Sequence, residues 1–217
     1  MPARIPLFPL ENVVLLPEGS VPLHVFEPRY RQLTEHALAG DRRIGMIAVR
    51  PEGSGEMAGE PPLFEIGCAG FVAEHQRSAD GRFHLLLRAA ERFRVLRELP
   101  REPGRLYRVA EIERLQEEPG DAEAARQARD RVLHLLVRLT ERTLGPGQAI
   151  DSGPLRALGL AHFASSVAQS LALPTREKQS LLEAATLAER LEQLAGALDF
   201  QLALLDRRSA GGPETLH

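Results

Sequence analysis

The chain is 217 residues long, 43% hydrophobic and 26% charged, with a formal net charge of −3 and a sequence pI near 6.2. That much apolar material excludes a disordered chain and suffices for a buried core, while the slight acidic excess argues against nucleic acid as the main partner, since neutralising phosphates takes a basic surface. Cys68 is the sole cysteine, which excludes an intrachain disulfide and a cysteine-based zinc site and fits a reducing cytoplasm.

From residue 1 to about 118 the pattern is that of strands. The opening stretch IPLFPLENVVLLPEGSVPLHVFEPRYRQL, residues 5–33, sets five prolines in core-like sequence. Within it Val13, Val14, Leu15 and Leu16 read as a strand bounded by Pro9 and Pro17, because proline at a strand's ends removes no ladder donor. Residues 17–22 then read as a stiff loop, and Pro28 suits the first turn of a helix that runs to Ala39 and stops at Gly40. Residues 44–49 form a buried-strand run, and 52–62, with three glycines and two prolines, a loop. Residues 64–75 read as a long strand with Gly67 and Gly70 marking a bend or bulge. Asp80-Gly81 is a hairpin turn from which 83–88 runs back. Residues 92–95 alternate as a half-exposed strand does, and 107–115 closes the series. Such a set, with one early helix, predicts a small closed or nearly closed β-barrel.

Past Pro119-Gly120 the period becomes helical. Val132, Leu135, Leu136 and Leu139 share one face of a helix that ends near Gly145-Pro146-Gly147. Leu155, Leu158, His162 and Phe163 share the next face, up to about Leu173-Pro174. One long last helix is expected to start at Thr175, with Leu187, Leu191, Leu194, Leu198, Leu202 and Leu205 stepping by three and four. The expected organisation is a strand-rich domain over 1–118, a helical bundle over 119–206 and a loose tail over 207–217.

Sequence signs of chemistry are sparse. No Gly-Lys-Ser/Thr or Gly-x-Ser-x-Gly occurs, and the only lysine, Lys178, sits in a charged helix start. No histidine pair has the spacing and intervening acid of a metallohydrolase helix. The chain has no charged and then apolar leader at its start, and no apolar run near the roughly 18 residues of a membrane span. The expectation is a soluble, cytoplasmic protein with no catalytic residues, metal or cofactor. One electrostatic feature stands out: Arg88, Arg92, Arg94, Arg97, Arg101, Arg105 and Arg108 lie close together against Glu91, Glu98 and Glu102.

The ordered set of Ile5-Pro6-Leu7-Phe8-Pro9-Leu10, Val13 to Gly19, Val21-Pro22-Leu23, Phe26-Glu27-Pro28-Arg29-Tyr30, Phe64 to Gly70, Asp80-Gly81, Ala90 to Val95, Glu177 to Glu183 and Arg190-Leu191 resembles the N-terminal domain of Lon proteases, especially its stand-alone relatives, over about residues 4–206. The resemblance implies an α+β fold: a PUA-like β-barrel followed by a C-terminal α-helical bundle. It also implies a role in recognising unfolded or apolar polypeptide segments. In Lon these pass to an ATPase and a serine–lysine protease on the same chain, neither of which this sequence contains. The implied protein is a non-catalytic binding module, an adaptor or regulator in protein quality control, with a separate ATP-dependent protease as a further partner. A related barrel in the cereblon family serves as an adaptor.

Two sets of site residues follow. Leu16, Pro17, Val21, Pro22 and Phe26 are expected at the surface of the proline-bounded loop, where preordered apolar area would lower the entropy cost of holding a peptide; alternatively the loop plugs the end of the barrel. The second set, Arg92, Arg94 and Arg97 of the basic cluster, is a candidate contact for RNA or an acidic partner.

Overall fold

A computed structural model of the chain describes residues 3–53, 59–118, 120–145 and 151–210. The elements are β1 (Ala3–Leu10), β2 (Ser20–Val25), α1 (Pro28–Ala39), β3 (Arg43–Ala48), a short 3-10 turn (Pro51–Gly53), β4 (Ile66–Arg77), β5 (Phe83–Glu98), β6 (Val109–Leu115), α2 (Ala122–Leu144), α3 (Gly153–Arg156), α4 (Leu160–Ser170), α5 (Thr175–Glu183) and α6 (Leu187–Ala210). They fall into two compact units, Met1–Glu117 with Pro174–Glu183, and Glu118–Leu173 with Ala184–His217. The fold is α+β.

In the strand unit the order is β2-β5-β4-β3-β1-β6, with β5 pairing β6 as well. The pairings of β5, β4, β3, β1 and β6 therefore form a closed circuit, and β2 is attached to the first half of β5. Only β1 and β3 run parallel among these pairs. Ile5, Leu7, Ile47, Ala69, Phe93, Ala110 and Ile112 form a buried cluster supplied by the five strands of the circuit. Phe93 is wholly buried. A Cβ on Gly67 would lie 2.5 Å from its ring and 2.6 Å from the Met46 carbonyl oxygen, so only glycine lets β4 approach this closely.

The first strand lies earlier than the sequence suggests. Residues 13–16 form no strand; Val14, Leu15 and Leu16 are buried in irregular chain. β1 instead contains Pro6 and Pro9, and register explains how. The Leu7 N–H donates to the Arg108 carbonyl at 2.8 Å, so Ile5 and Leu7 turn their backbone groups toward β6 and Pro6 turns away from it. Pro6 faces the side where β3 pairs, but that pairing begins only at Leu7. Pro9 faces the side of β6, whose pairing ends at Pro6, and its carbonyl is taken by the Tyr30 hydroxyl at 3.0 Å. Both donorless nitrogens thus fall where no ladder bond is needed. Tyr30 stacks on Phe8 with centroids 4.1 Å apart, and burial pushes its phenol pKa up to about 12.

α1 has the expected bounds, with Pro28 at its start and Tyr30, Leu33, Thr34 and Ala37 on its buried face. The Asp-Gly turn is also as expected: Gly81 has φ of 80° and its N–H donates to the Ser78 carbonyl at 2.9 Å. A second turn closes with Gly19 N–H donating to the Leu16 carbonyl at 3.0 Å. It places Pro17 at its second position and Glu18, with φ of 61°, at its third, where a type II turn favours glycine.

In the helical unit Asp121 caps α2 by accepting from the Glu123 and Ala124 N–H groups at 2.8 and 3.2 Å. Val132, Leu135 and Leu136 of α2 and Leu191, Leu194, Leu198 and Leu202 of α6 are buried as their spacing predicts. Arg131 pairs with Glu192 and Asp199, and Arg142 with Asp206, so these two helices run in the same direction. The single long last helix expected from Thr175 is in fact two. Thr186 and Glu189 cap the start of α6 in a variant of the capping box: the Glu189 N–H donates to the Thr186 hydroxyl at 3.2 Å, and the N–H of Ala185, one residue before the cap, donates to the Glu189 carboxylate at 2.8 Å. α5, ahead of this break, groups with the strands. α6 carries regular structure to Ala210, into the stretch expected as a tail; 211–217 lie outside the described residues, as do Pro146 and Gly147 of the expected α2 terminus. Among the described residues no helix is long and apolar enough to cross a membrane.

The left-handed backbone at Glu18 has a measurable cost. Replacing it with glycine removes about 1–2 kcal/mol of steric strain and adds about 0.5–1 kcal/mol of unfolded-state entropy. Glu18→Gly is expected to raise stability by roughly 0.5–1 kcal/mol in urea unfolding, whereas Glu18→Ala should leave it near wild type.

Candidate functional site

The site is built on β2. The Ala89 N–H donates to the Gly19 carbonyl at 2.8 Å, which sets the parity of the β2–β5 ladder: Val21, Leu23 and Val25 direct their backbone groups to β5, and Ser20, Pro22 and His24 direct theirs to the open side. Side chains follow the same alternation. Leu23 and Val25 are buried, whereas Ser20, Pro22 and His24 are exposed. His24 lies opposite His84 in register, and the two rings stack with centroids 4.6 Å apart. Phe26, 56% exposed, lies tilted 5.8 Å from His24. Phe71 on β4, 43% exposed, and half-buried Leu86 on β5 extend the apolar surface of the strand unit.

Four of the five residues expected to form a peptide contact gather around β2. Pro22 and Phe26 are exposed, and Pro17 and Val21 are half-buried. Leu16 is the exception: it has no exposed surface, because the residues before the turn are drawn into the core instead of forming a strand at its rim. The expected loop over 17–22 is a tight turn followed by strand, since β2 begins at Ser20. His24 and His84, which belong to neither set expected from the sequence, are the residues the reading missed. Their signal was the period-two pattern of Leu23 and Val25 inward with Pro22, His24 and Phe26 outward.

The three arginines expected to act together have separate environments. Arg92 is buried, and its Nη1 donates to the Leu182 carbonyl at 2.9 Å, capping the C-terminal turn of α5. Gln179 adds a second tie, donating to the Ile66 carbonyl at 2.9 Å. Arg97 holds Glu111 in a two-pronged pair at 2.8 and 3.0 Å. Arg94 is exposed. The rest of the cluster is also largely neutralised, with Arg101 on Glu60, Arg105 on Glu102 and Arg108 on Glu98. Among the described residues no group of three or more His, Cys, Asp or Glu converges as a metal centre requires.

A concavity of about 390 Å³ adjoins the turn before β2, and Pro17, Glu18, Glu91, Arg92, Arg114 and Glu117 contribute to its lining. Arg114 is held by Glu91 at 3.2 Å, and the same carboxylate bonds Arg43.

A circuit of paired strands with an open edge, accompanied by a helical unit, defines an α+β module. Residues 4–199 match the family of the ATP-dependent protease La (LON) substrate-binding domain, and the chain belongs to that family. Relatives include Lon protease 4 of Sorangium cellulosum, 32% identical across 93% of this chain and 24% of that protein, and Lon protease 2 of Syntrophobacter fumaroxidans, 26% identical across 95% of this chain and 25% of that one. The chain spans about a quarter of the length of these curated relatives. Among solved structures it is similar to a Lon N-terminal domain protein from Xanthomonas campestris, with a TM-score of 0.60 and 26% identity over 89% of this chain and 98% of that one. The N-terminal domain of a Mycobacterium avium complex Lon protease shares the fold, with a TM-score of 0.68 at 17% identity over 91% of this chain and 98% of that one.

Two outcomes test these assignments. Arg92→Leu leaves the Leu182 carbonyl without its charged donor and is expected to cost about 1.5–3 kcal/mol in denaturant unfolding. Hydrogen bonds from Arg97 hold the Glu111 carboxyl below its usual range. A carboxyl depressed in the folded state stabilises above its unfolded pKa and loses that contribution as pH falls through the folded value. The stability gap between wild type and Glu111→Gln should therefore be present at neutral pH and narrow on acidification below the ordinary value of 4.5; a gap that is constant across that range would contradict the pairing.

Proposed function

We propose that this chain is a non-catalytic polypeptide-binding module, with a PUA-like barrel as its strand unit and the outer surface of β2 as its contact for unfolded or apolar segments. The observation that carries this is the continuous exposed surface of Pro22, His24 and Phe26, with Pro17 and Val21 at its margin. Exposed aromatic and apolar side chains next to charged neighbours are the usual make-up of a protein contact. The family description supports the same ligand class. The role that fits is that of a cytoplasmic adaptor or regulator in quality control that delivers cargo to a separate ATP-dependent protease. Catalysis finds little support in the residues: the chain has no phosphate-binding Gly-Lys-Ser/Thr, and Lys178, its one lysine, lies on α5 without a serine partner in any recognised motif. RNA binding draws little support from a basic cluster whose guanidinium groups are largely engaged by carboxylates.

The test is fluorescence anisotropy of a labelled, permanently unfolded polypeptide titrated with wild type and with Phe26→Asp. Phe26 lies largely in solvent, so the substitution should leave the fold intact by circular dichroism. Losing its apolar contact, worth about 1.5–3 kcal/mol when fully buried, is expected to weaken binding roughly tenfold or more. Equal binding by both proteins would remove β2 as the contact, and absence of binding by wild type would overturn the reading altogether.

A further inference from the structure

We propose that β2 takes up an extended polypeptide as an added strand along its open edge, and that Glu18 selects for a basic residue at the end of that strand; this rests on the polypeptide-binding reading above and deepens it. Among the described residues β2 has β5 as its sole strand partner. By the parity of the ladder, Ser20 and His24 offer N–H groups, and Ser20, Pro22 and His24 offer carbonyls, on the side away from β5. Among the described residues no other backbone group bonds to them. Two donors and three acceptors in a row are what an incoming strand pairs with, and main-chain bonds of this kind tolerate varied side chains.

Pro22 decides between a second copy and a different chain. In an antiparallel pairing of two β2 edges centred on Pro22, two donorless nitrogens face each other and the central bonds are lost. A foreign strand has its own N–H to offer to the Pro22 carbonyl and loses only the one bond that the Pro22 nitrogen cannot donate, against both central bonds in the self-pairing. Edge, exposed side chains and proline together fit a heterologous extended polypeptide.

Charge supplies the selection. At the entry to β2 the concavity beside Pro17 holds arginines that are already engaged: Arg92 by the Leu182 carbonyl and Arg114 by Glu91. Glu18 is exposed, and among the described residues its carboxylate has no ion-pair or hydrogen-bond partner. A strand added along 20–24 runs past Glu18 at one end, where a guanidinium or ammonium group pairs with it and a carboxylate is repelled.

The experiment uses synthetic peptides of alternating valine and threonine, one with arginine at both ends and one with glutamate at both ends. Two further versions of the arginine peptide carry N-methyl groups on one or the other alternate set of amides. At low salt wild type is expected to bind the arginine peptide about fivefold more tightly than the glutamate peptide, with the preference falling as salt is raised. In Glu18→Gln the preference should drop to about twofold or less. One of the two N-methylated peptides should lose binding. If both N-methylated peptides bind like their parent, strand addition is wrong. If wild type and Glu18→Gln show the same preference, the role of Glu18 is wrong while polypeptide binding stands. If no peptide and no unfolded polypeptide binds wild type, the underlying reading falls and this inference with it.

Discussion

The strand unit depends on β5 having three partners at once. Its 16 residues pair with β2 over the first half, with β6 over the second and with β4 along almost the whole length. A single straight strand cannot do this while keeping one face inward throughout. The register shifts against β4 at Ala69/Gly70 and Val72/Glu74 supply the bend. Before the bend Phe83, Leu85 and Leu87 point into the core; after it Arg92 and Phe93 are the buried residues. The same change of facing that lets Phe93 fill the ring carries Arg92 to the end of α5. Closure of the circuit, docking of α5 and the free outer side of β2 are consequences of one bent strand.

Guanidinium groups contribute to this architecture in ways their charge alone does not suggest. Arg92 serves as a helix cap, Arg97 as a fork on Glu111, and Arg43 and Arg114 share Glu91. Each uses the planar, many-donor geometry that lysine lacks. Four of the seven arginines that cluster in the sequence are paired with carboxylates in the fold, which leaves the apolar side chains around β2 as the more distinctive feature of the strand unit.

Much of this was legible beforehand, for reasons that are local. α1, the turn at Gly81 and the buried faces of α2 and α6 depend on residues a few positions apart, where proline at a helix start, Asp-Gly and leucine spacing carry direct physical meaning. The misreadings involve partners distant along the chain. Pro6 and Pro9 argue against a strand until it is known which side of each residue is paired, and that depends on β3 and β6. Arg92 looked like a free cation because Leu182 is 90 residues away. Of the candidate residues, Pro22 and Phe26 are exposed as their setting suggests, Leu16 is in the core, and His24 and His84 became a pair only once register joined them. The break before α6 was the exception: Thr186 and Glu189 have the spacing of a capping box, but the leucine repeat concealed it.

The return of α5 to the strand unit has a consequence for how the protein is made. Chain synthesis delivers β1 to β6 first, then α2, α3 and α4, and only afterwards Gln179 and Leu182, which the strand unit buries. Until then the Ile66 carbonyl and the Arg92 guanidinium wait without the partners that α5 brings. A nascent chain paused after β6 holds all six strands and still lacks a piece of its own core. Domains that emerge early usually fold as they leave the ribosome; here the first unit to emerge is completed after most of the second has been synthesised.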